Sequence, residues 1–189
     1  SGVTLNDIVE MITYGAFNLA SFSTTAITSG TLADARLSSN VTLNDGTQTL
    51  TNKTLDSPTI TKHVQETATV SATAATGTIN YDVKTQSILY YTTDASGNFT
   101  VNVRGDGSTS LDSIMDTGDV ITVVFLVTNG GTAYYNNTFQ IDGSGVTPEW
   151  QGGSAPSSGN TNSIDSYTYS IIKTGSATFT ALAAQTQFA

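Results

Sequence analysis

Val120-Ile-Thr-Val-Val-Phe-Leu-Val-Thr128 is the stretch of this 189-residue chain that says most about its fold. β-Branched residues dominate it, which favours a β-strand. A half-buried strand alternates apolar and polar residues, yet Val123 to Val127 are all apolar, so both faces of this strand should be covered. It is either the central strand of a domain or a strand that faces a neighbouring subunit. We favour the centre of the domain, with an intersubunit role left to the tyrosine-rich strands beside it.

Short strands and turn sequences surround this segment. Gly152–Asn162 consists almost entirely of Gly, Ser, Pro and Asn and predicts a loop. Tight hairpins are predicted at Asn129–Gly131, Asp94–Gly97 and Thr174–Ser176. About six to eight short strands with turns at this spacing favour an antiparallel β-sandwich of the jelly-roll type, so we expect a head domain over residues 64–189. The predicted strands are Ser87–Thr93, Phe99–Arg104, Val120–Thr128, Ala133–Asp142, Tyr167–Lys173 and Ala177–Ala183.

The first 63 residues have a different character. Leu5–Tyr14 has apolar residues at helical spacing and predicts a short helix, which either packs locally or anchors the chain on a larger assembly. Beyond it, apolar residues are sparse and separated by Ser, Thr, Asn and Asp. One such chain cannot bury enough apolar surface to offset its ordering entropy, whereas three chains wound together can. We therefore expect residues 1–63 to form an intertwined, oligomeric stalk. The residues expected at its axis are Leu32, Leu37, Leu50, Leu55 and Ile60.

Composition excludes several classes of function. The formal net charge is −9, with only six Lys and Arg residues, which opposes binding to nucleic-acid phosphates and to anionic membrane surfaces. The chain has no cysteine, so disulfides cannot stabilise it, and no apolar run is long enough to span a bilayer. The aspartates of the predicted loops lack the spacing of a known calcium loop. We expect no metal, no cofactor, no nucleic-acid partner and no membrane insertion.

Three motifs could suggest catalysis or adhesion, but each has a simpler interpretation. Asp116-Thr-Gly118 matches the short signature of aspartic proteases, which need two such carboxylates, and the tripeptide is also ordinary turn chemistry. Arg104-Gly-Asp106 matches an integrin-binding tripeptide, but it fits a strand end followed by a turn. His63 is the single histidine, and no serine lies in a nucleophile-elbow pattern that could pair with it. We therefore predict that the chain is not an enzyme.

The aromatic residues suggest a binding surface instead. Aromatic faces with Asn and Asp nearby are the usual chemistry of carbohydrate recognition. Core and interface packing is the alternative for these side chains. Adjacent residues of a strand point to opposite faces, so one member of the Tyr134-Tyr135 pair should be exposed. The candidate ligand-facing residues are Tyr134, Tyr135 and Trp150.

Two short segments resemble modules of bacteriophage fibre proteins. They are Thr47-Gln-Thr-Leu-Thr-Asn-Lys-Thr-Leu-Asp-Ser-Pro-Thr-Ile-Thr61 and Ile27-Thr-Ser-Gly-Thr-Leu-Ala-Asp-Ala-Arg-Leu37. The segment Tyr91–Phe188 is also similar to a domain of structural proteins from marine and cyanobacterial phages. The cues for that second resemblance are Ala133-Tyr-Tyr-Asn-Asn137, Glu149-Trp-Gln-Gly-Gly153 and Tyr169-Ser-Ile-Ile-Lys-Thr-Gly175.

The resemblance implies a structural protein of the virion. It implies a homotrimeric tail fibre, or part of one, that contacts other virion proteins through its N-terminal segment and presents its C-terminal domain to a host surface glycan or receptor. The alternative is a capsid decoration protein or head fibre docked on the shell by the N-terminal segment. A third hypothesis, an enzyme that acts on host polysaccharide, is disfavoured because no paired-carboxylate site is evident.

Overall fold

The computed structural model describes residues 55–62 and 64–188. The described residues from Thr59 onward form one compact unit. The predicted helix Leu5–Tyr14, the stalk residues Leu32, Leu37 and Leu50, and His63 lie outside the described residues. Leu55 and Ile60 are described, and they expose 60% and 62% of their surface. Their predicted role at an oligomer axis stays a prediction.

The compact unit is mainly β, as expected. It also contains a four-residue helix, α1 (Leu111–Ile114), and a short 3-10 helix, Gln151–Gly153. Among the described residues, none of the helices combines the length and apolar character that crossing a membrane requires. The strands are β1 (Ala68–Ala74), β2 (Gly77–Asp82), β3 (Ile88–Thr93), β4 (Phe99–Arg104), β5 (Val120–Asn129), β6 (Asn136–Ile141), β7 (Ser144–Gly145), β8 (Glu149–Trp150), β9 (Ser163–Gly175) and β10 (Thr178–Phe188).

These strands form two mixed sheets, with the orders β1-β3-β5-β9-β10-β8 and β2-β4-β6-β7. Consecutive strands from β1 to β6 alternate between the sheets, so this part of the chain is a coil of three turns. Neighbouring turns pair in parallel within each sheet. Antiparallel pairing begins where β9 returns along β5 and continues between β9 and β10 and between β6 and β7.

The predicted antiparallel jelly-roll arrangement is therefore wrong. Parallel neighbours need a crossover between them, and in this coil the strand in the opposite sheet provides it, so short turns suffice. Two of the three predicted hairpins are wrong for the same reason. Asn129–Gly131 leads from β5 in one sheet to β6 in the other, and Asp94–Gly97 leads from β3 to β4. The hairpin at Thr174–Ser176 is confirmed, because β9 and β10 pair across it.

Asn129 explains why its Asn-Gly-Gly sequence does not close a hairpin. Its buried side chain accepts a hydrogen bond from the Tyr134 backbone N–H at 3.0 Å and donates one to the Tyr134 carbonyl oxygen at 3.1 Å. The next residue, Gly130, lies so close to the Asp94 side chain that a Cβ would overlap the carboxylate. The turn is thus held by contacts across the domain rather than by pairing of its flanking strands.

The core lies between the two sheets and is rich in aromatic rings. Phe99 of β4 contacts Phe125 of β5 edge-on at a centroid distance of 5.3 Å, and Tyr167 of β9 at 5.8 Å. Phe139 of β6 stacks on Tyr169 of β9 at 4.4 Å. All five side chains are almost fully buried. Each contact joins one sheet to the other, so these rings hold the two sheets together.

The outer face of the four-stranded sheet is polar. Strand pairing aligns like residues in rows across β2, β4 and β6. Asn102 donates an amide hydrogen bond to Asn80 Oδ1 at 2.8 Å, and Arg104 Nε lies 2.6 Å from Asp82 Oδ1. Hydroxyls, amides and ions of this kind suit contact with water. The rows are Thr78–Thr100–Thr138, Asn80–Asn102–Gln140 and Asp82–Arg104.

The outer face of the six-stranded sheet carries many apolar side chains, with Ser and Thr between them. β5 lies between β3 and β9, as predicted for a central strand, and Val123, Phe125 and Val127 point into the core. Val124 and Leu126 point the other way and are only half-buried. The strand pairing places further apolar side chains on this outer face. They are Val70, Ile88, Tyr90, Val120, Val124, Leu126, Ile164, Ile172, Leu182 and Phe188.

A buried lysine joins α1 to the six-stranded sheet. Lys173 Nζ donates to the carbonyl oxygens of Asp112 and Met115 at 2.6 and 2.8 Å, and it lies 2.8 Å from Asp112 Oδ1. The Asp142 carboxylate accepts hydrogen bonds from the backbone N–H groups of Leu111 and Asp112 at the start of the helix. These contacts satisfy groups that a short helix cannot satisfy by itself.

We predict that Phe99→Ala lowers the free energy of unfolding by about 3 to 5 kcal/mol, because it removes a ring that contacts two aromatic neighbours and leaves a cavity. Thr100→Ala changes the next residue of the same strand, which points outward, and should cost less than about 1 kcal/mol. Denaturant unfolding of both variants checks this. Equal losses would contradict the assigned core.

Candidate functional site

Two of the three aromatic residues singled out in the sequence line the same surface cleft. Tyr135 and Trp150 border a cleft of about 150 Å³, together with Asn137, Pro148 and Pro156. Tyr134 is not among its lining residues. All three aromatic side chains are half-buried and pack against the core. The structure therefore places Tyr135 and Trp150 at one cleft and Tyr134 outside it.

Trp150 is the centre of this region. It lies on β8, which pairs in parallel with β10, and its ring meets Tyr169 edge-on at 6.1 Å. The side chain borders two further depressions, of about 360 and 420 Å³. We call these two depressions and the cleft the Trp150 clefts. Because the indole is packed on one side and exposed on the other, its position is fixed while part of its surface stays accessible.

The polar groups of the Trp150 clefts are mainly uncharged. Gln151 and Gln185 line the 360 Å³ depression, and Asn137 lines the smallest cleft. Glu149 is the one carboxylate among the lining residues. Aromatic and proline faces combined with amides suit sugars, whose rings stack on aromatic faces and whose hydroxyls hydrogen-bond to amides. Glycoside hydrolysis usually needs two carboxyl groups, and the described residues that line these clefts supply one.

The loop after Trp150 is held against the sheet by a buried polar cluster. Asp165 Oδ2 accepts hydrogen bonds from the Asn160 backbone N–H at 3.0 Å, from Asn129 Nδ2 at 3.2 Å and from Gln185 Nε2 at 3.3 Å. Gln185 Nε2 also donates to the Ser158 carbonyl oxygen at 3.1 Å. The predicted loop Gly152–Asn162 is thus confirmed apart from its short helical start, and hydrogen bonds to Ser158 and Asn160 anchor it.

Gly159 is required where this loop meets the cluster. A Cβ at this position would overlap the Tyr134 carbonyl oxygen and would also lie 2.8 Å from Asp165 Oδ2. The contact is with backbone as well as with a side chain, so little relief is available. The glycine lets the loop approach the sheet closely, and this sets the position of Pro156 at the cleft.

Asp165 carries a carboxyl group in an unusual environment. It is fully buried, and its Oδ1 has no hydrogen-bond partner. Burial raises the pKa of this carboxyl above its ordinary value of 3.8, although the hydrogen bonds from Asn160, Gln185 and Asn129 oppose the shift. The buried group should therefore resist ionisation, and the loop anchor should be sensitive to pH.

Tyr167 and Tyr169 of β9 are core residues. Tyr169 Oη donates to Asn136 Oδ1 at 3.0 Å, and Tyr167 Oη accepts from the Asn136 backbone N–H at 3.2 Å. Burial raises the pKa of both phenols well above the ordinary value. Their hydroxyl groups are therefore satisfied structural groups.

The two short motifs behave as turns. Asp116-Thr-Gly118 forms a turn in which the Asp119 N–H donates to the Asp116 carbonyl oxygen at 3.0 Å, and Gly118 has a φ of 99°. Arg104 is paired with Asp82, and Lys84 lies 2.6 Å from Asp106. The hydrogen bond from Lys84 holds the pKa of the Asp106 carboxyl below its usual range. Both charged groups of the Arg-Gly-Asp sequence are thus engaged within the chain.

The part of the chain that the structure describes contains no group of three or more His, Cys, Asp or Glu side chains placed to hold a metal ion. The residues that position the Trp150 clefts were not identified from the sequence. Asp165 and Gln185 lie in strands that carry no distinctive motif, and they meet only because β9 pairs with β10. Asn129 did stand out, but as a turn residue.

We predict that Asp165→Asn changes the pH dependence of stability. Since the folded-state pKa of Asp165 is raised, its contribution to the free energy of unfolding is fully present below pH 3.8 and is lost as the pH rises through the folded-state pKa. The wild type should therefore lose stability relative to the variant by up to about 1.4 kcal/mol per pH unit in that window. Thermal or denaturant unfolding measured from pH 3 to about pH 8 checks this. Parallel profiles for the two proteins would contradict it.

The Trp150 clefts combine aromatic, proline and amide groups at one surface. A packed tryptophan, a neighbouring tyrosine, two prolines and several amides form an accessible surface beside an anchored loop. Such a surface can bind a neutral, hydroxyl-rich ligand. Comparisons with family models, with curated proteins and with solved structures found no match to this chain.

Proposed function

We propose that this chain is a non-enzymatic structural component of a bacteriophage virion, a homotrimeric tail fibre or part of one, whose C-terminal domain binds a host surface glycan. The observation that carries the binding role is the arrangement of Trp150, Tyr135 and amide side chains at one surface. The virion role comes from the resemblance of Thr47–Thr61 and Ile27–Leu37 to fibre modules.

The chemistry of the clefts favours a neutral polysaccharide over a charged ligand. No lysine or arginine lines the Trp150 clefts, and their one carboxylate, Glu149, would repel an anionic sugar. The acidic net charge of the whole chain adds to that repulsion. A hexose ring stacked on the indole, with its hydroxyls bonded to Gln151, Gln185 or Asn137, uses every feature of the site.

Two observations are compatible with attachment through the N-terminal segment. Leu55 and Ile60 expose more than half of their surface, which leaves both side chains accessible to another chain. The compact unit begins at Thr59, so Leu55 lies outside it and Ile60 lies at its start. A separation between an N-terminal segment and a compact domain is what we expect of a fibre that joins an oligomeric stalk to a self-contained head.

We predict that Trp150→Ala lowers the affinity for a bound glycan at least about 10-fold, because it removes the stacking surface, equivalent to about 1.4 kcal/mol. Tyr134→Ala is the matched control, since Tyr134 is also half-buried but lies outside the clefts, and its affinity should equal that of the wild type. The measurement is binding of the purified full chain to immobilised polysaccharides from cyanobacterial cell envelopes.

The outcomes of this experiment separate the alternatives. If the wild type binds polysaccharide and Trp150→Ala does not, the result supports the receptor-binding fibre. Binding to purified capsids but to no polysaccharide would favour the decoration protein or head fibre, and release of reducing sugar would overturn the non-enzymatic role.

The virion role has its own test. Antibody raised against the chain should label the tails of phage particles in electron micrographs. Labelling of the capsid would support the decoration alternative, and absence of the chain from purified particles would overturn the proposal.

A further inference from the structure

We infer that the outer face of the six-stranded sheet is the surface through which the head domains of separate copies of this chain pack against one another. The inference deepens the proposed homotrimer and rests on that part of the proposed function. It assigns the contact to a sheet face of the head, in addition to the stalk residues predicted from the sequence.

The contrast between the two outer faces is the first argument. The four-stranded sheet turns rows of Thr, Asn and an Asp–Arg pair toward the surface. On the outer face of the six-stranded sheet, strand pairing instead aligns Leu126 with Tyr90, and Tyr90 with Val70. Val70, Val120 and Leu182 expose 64%, 56% and 48% of their surface. Single exposed apolar residues are ordinary, but the adjoining rows Val70–Tyr90–Leu126 and Ile88–Val124 form one apolar group, which marks a contact surface.

The distribution of charge makes another copy of the chain a suitable occupant of this face. The chain has 15 acidic and six basic residues, so most of its surface repels a second copy. The outward positions of β1, β3, β5, β9 and β10 carry no charged side chain, and Glu149 stands only at the β8 edge. Like-charged copies can therefore approach closely at this face. A basic partner would instead be attracted to surfaces that carry the acidic residues.

The size of the face is sufficient for a stable contact. Five strands spaced about 4.8 Å apart and about eight residues long give a flat area of roughly 600 Å². Stable interfaces bury about 600 to 1,000 Å² on each partner. Ser and Thr residues lie between the apolar ones on this face, and two of them, Ser170 and Thr122, pair their hydroxyls across the strands at 3.3 Å.

The absence of cysteine from the chain allows a direct test with single cysteines in the full-length protein. Val124→Cys places a thiol at the centre of the face, and Thr138→Cys places one on the outer face of the other sheet. With a bismaleimide cross-linker, we expect Val124→Cys to give covalent dimers and Thr138→Cys to give at least about 10-fold less product. Equal cross-linking of the two variants would overturn the inference.

A charge substitution tests whether the face is needed for the contact. Adding Leu126→Glu to Val124→Cys should reduce the cross-linked product at least about 10-fold, because it buries an unpaired carboxylate in the interface. Adding Thr100→Glu, an outward position on the central strand of the other sheet, should leave it unchanged. Circular dichroism confirms that both charge variants are folded. Unchanged cross-linking with Leu126→Glu would overturn the inference.

Sedimentation equilibrium of the wild type distinguishes the failure of this inference from failure of the proposed function. A trimeric mass together with no Val124 cross-link would overturn the sheet-face contact and leave the stalk-held trimer intact. A monomeric mass would overturn both forms of self-association. Neither result would alter glycan binding by Trp150, which is measured separately.

Discussion

Packing of aromatic rings between two sheets is the constraint on which the rest of this structure depends. The first six strands alternate between the sheets, so neither sheet can form by local pairing alone. Phe99, Phe125 and Tyr167 meet from opposite sides and fix the separation of the sheets. Each strand thereby presents one side to the core and the other to the surface. The contrast between the polar and apolar outer faces follows from that division.

The same packing carries polar groups into the core that would be costly if left unpaired. Asn136 receives the Tyr169 hydroxyl and donates to the Phe99 and Thr138 carbonyl oxygens. Asp165 is less completely satisfied, since its Oδ1 has no partner. A buried carboxyl in that state lowers stability when it is ionised. Its Oδ2 nevertheless anchors the loop that borders the Trp150 clefts, so stability and loop position are linked at one residue.

The two proposed contacts of the head meet at one edge of the six-stranded sheet. The Trp150 clefts lie at the β8 edge of the six-stranded sheet and at the loop that follows it. The inferred contact between copies lies on the broad face of that sheet, centred on β5. One of the depressions reaches both regions, since Leu182 and Trp150 line it together. Association of copies would therefore place several binding edges around one assembly, which increases avidity for a repetitive polysaccharide.

Local sequence was a good guide to the positions of the strongly apolar strands. The predicted bounds of Phe99–Arg104 are those of β4, and Val120–Thr128 differs from β5 by one residue. Alternation and β-branched residues are local properties, so they can be read from a short window. Ala68–Ala74 and Gly77–Asp82 were not predicted as strands, because the first is rich in Ala and Thr, the second is short and mixed in composition, and the pairing of both comes from neighbouring turns of the coil.

The sequence by itself determined that this protein is an acidic, cysteine-free β protein with a central strand at Val120–Thr128 and with Tyr135 and Trp150 among its candidate binding residues. Only the tertiary structure decided that the coil pairs in parallel, that Tyr134 lies apart from the cleft, and that Asp165 and Gln185 hold the loop beside it. The physical reason is that backbone hydrogen bonding is nearly independent of side-chain identity. Turn residues specify where the chain bends, but core packing decides which strands become neighbours.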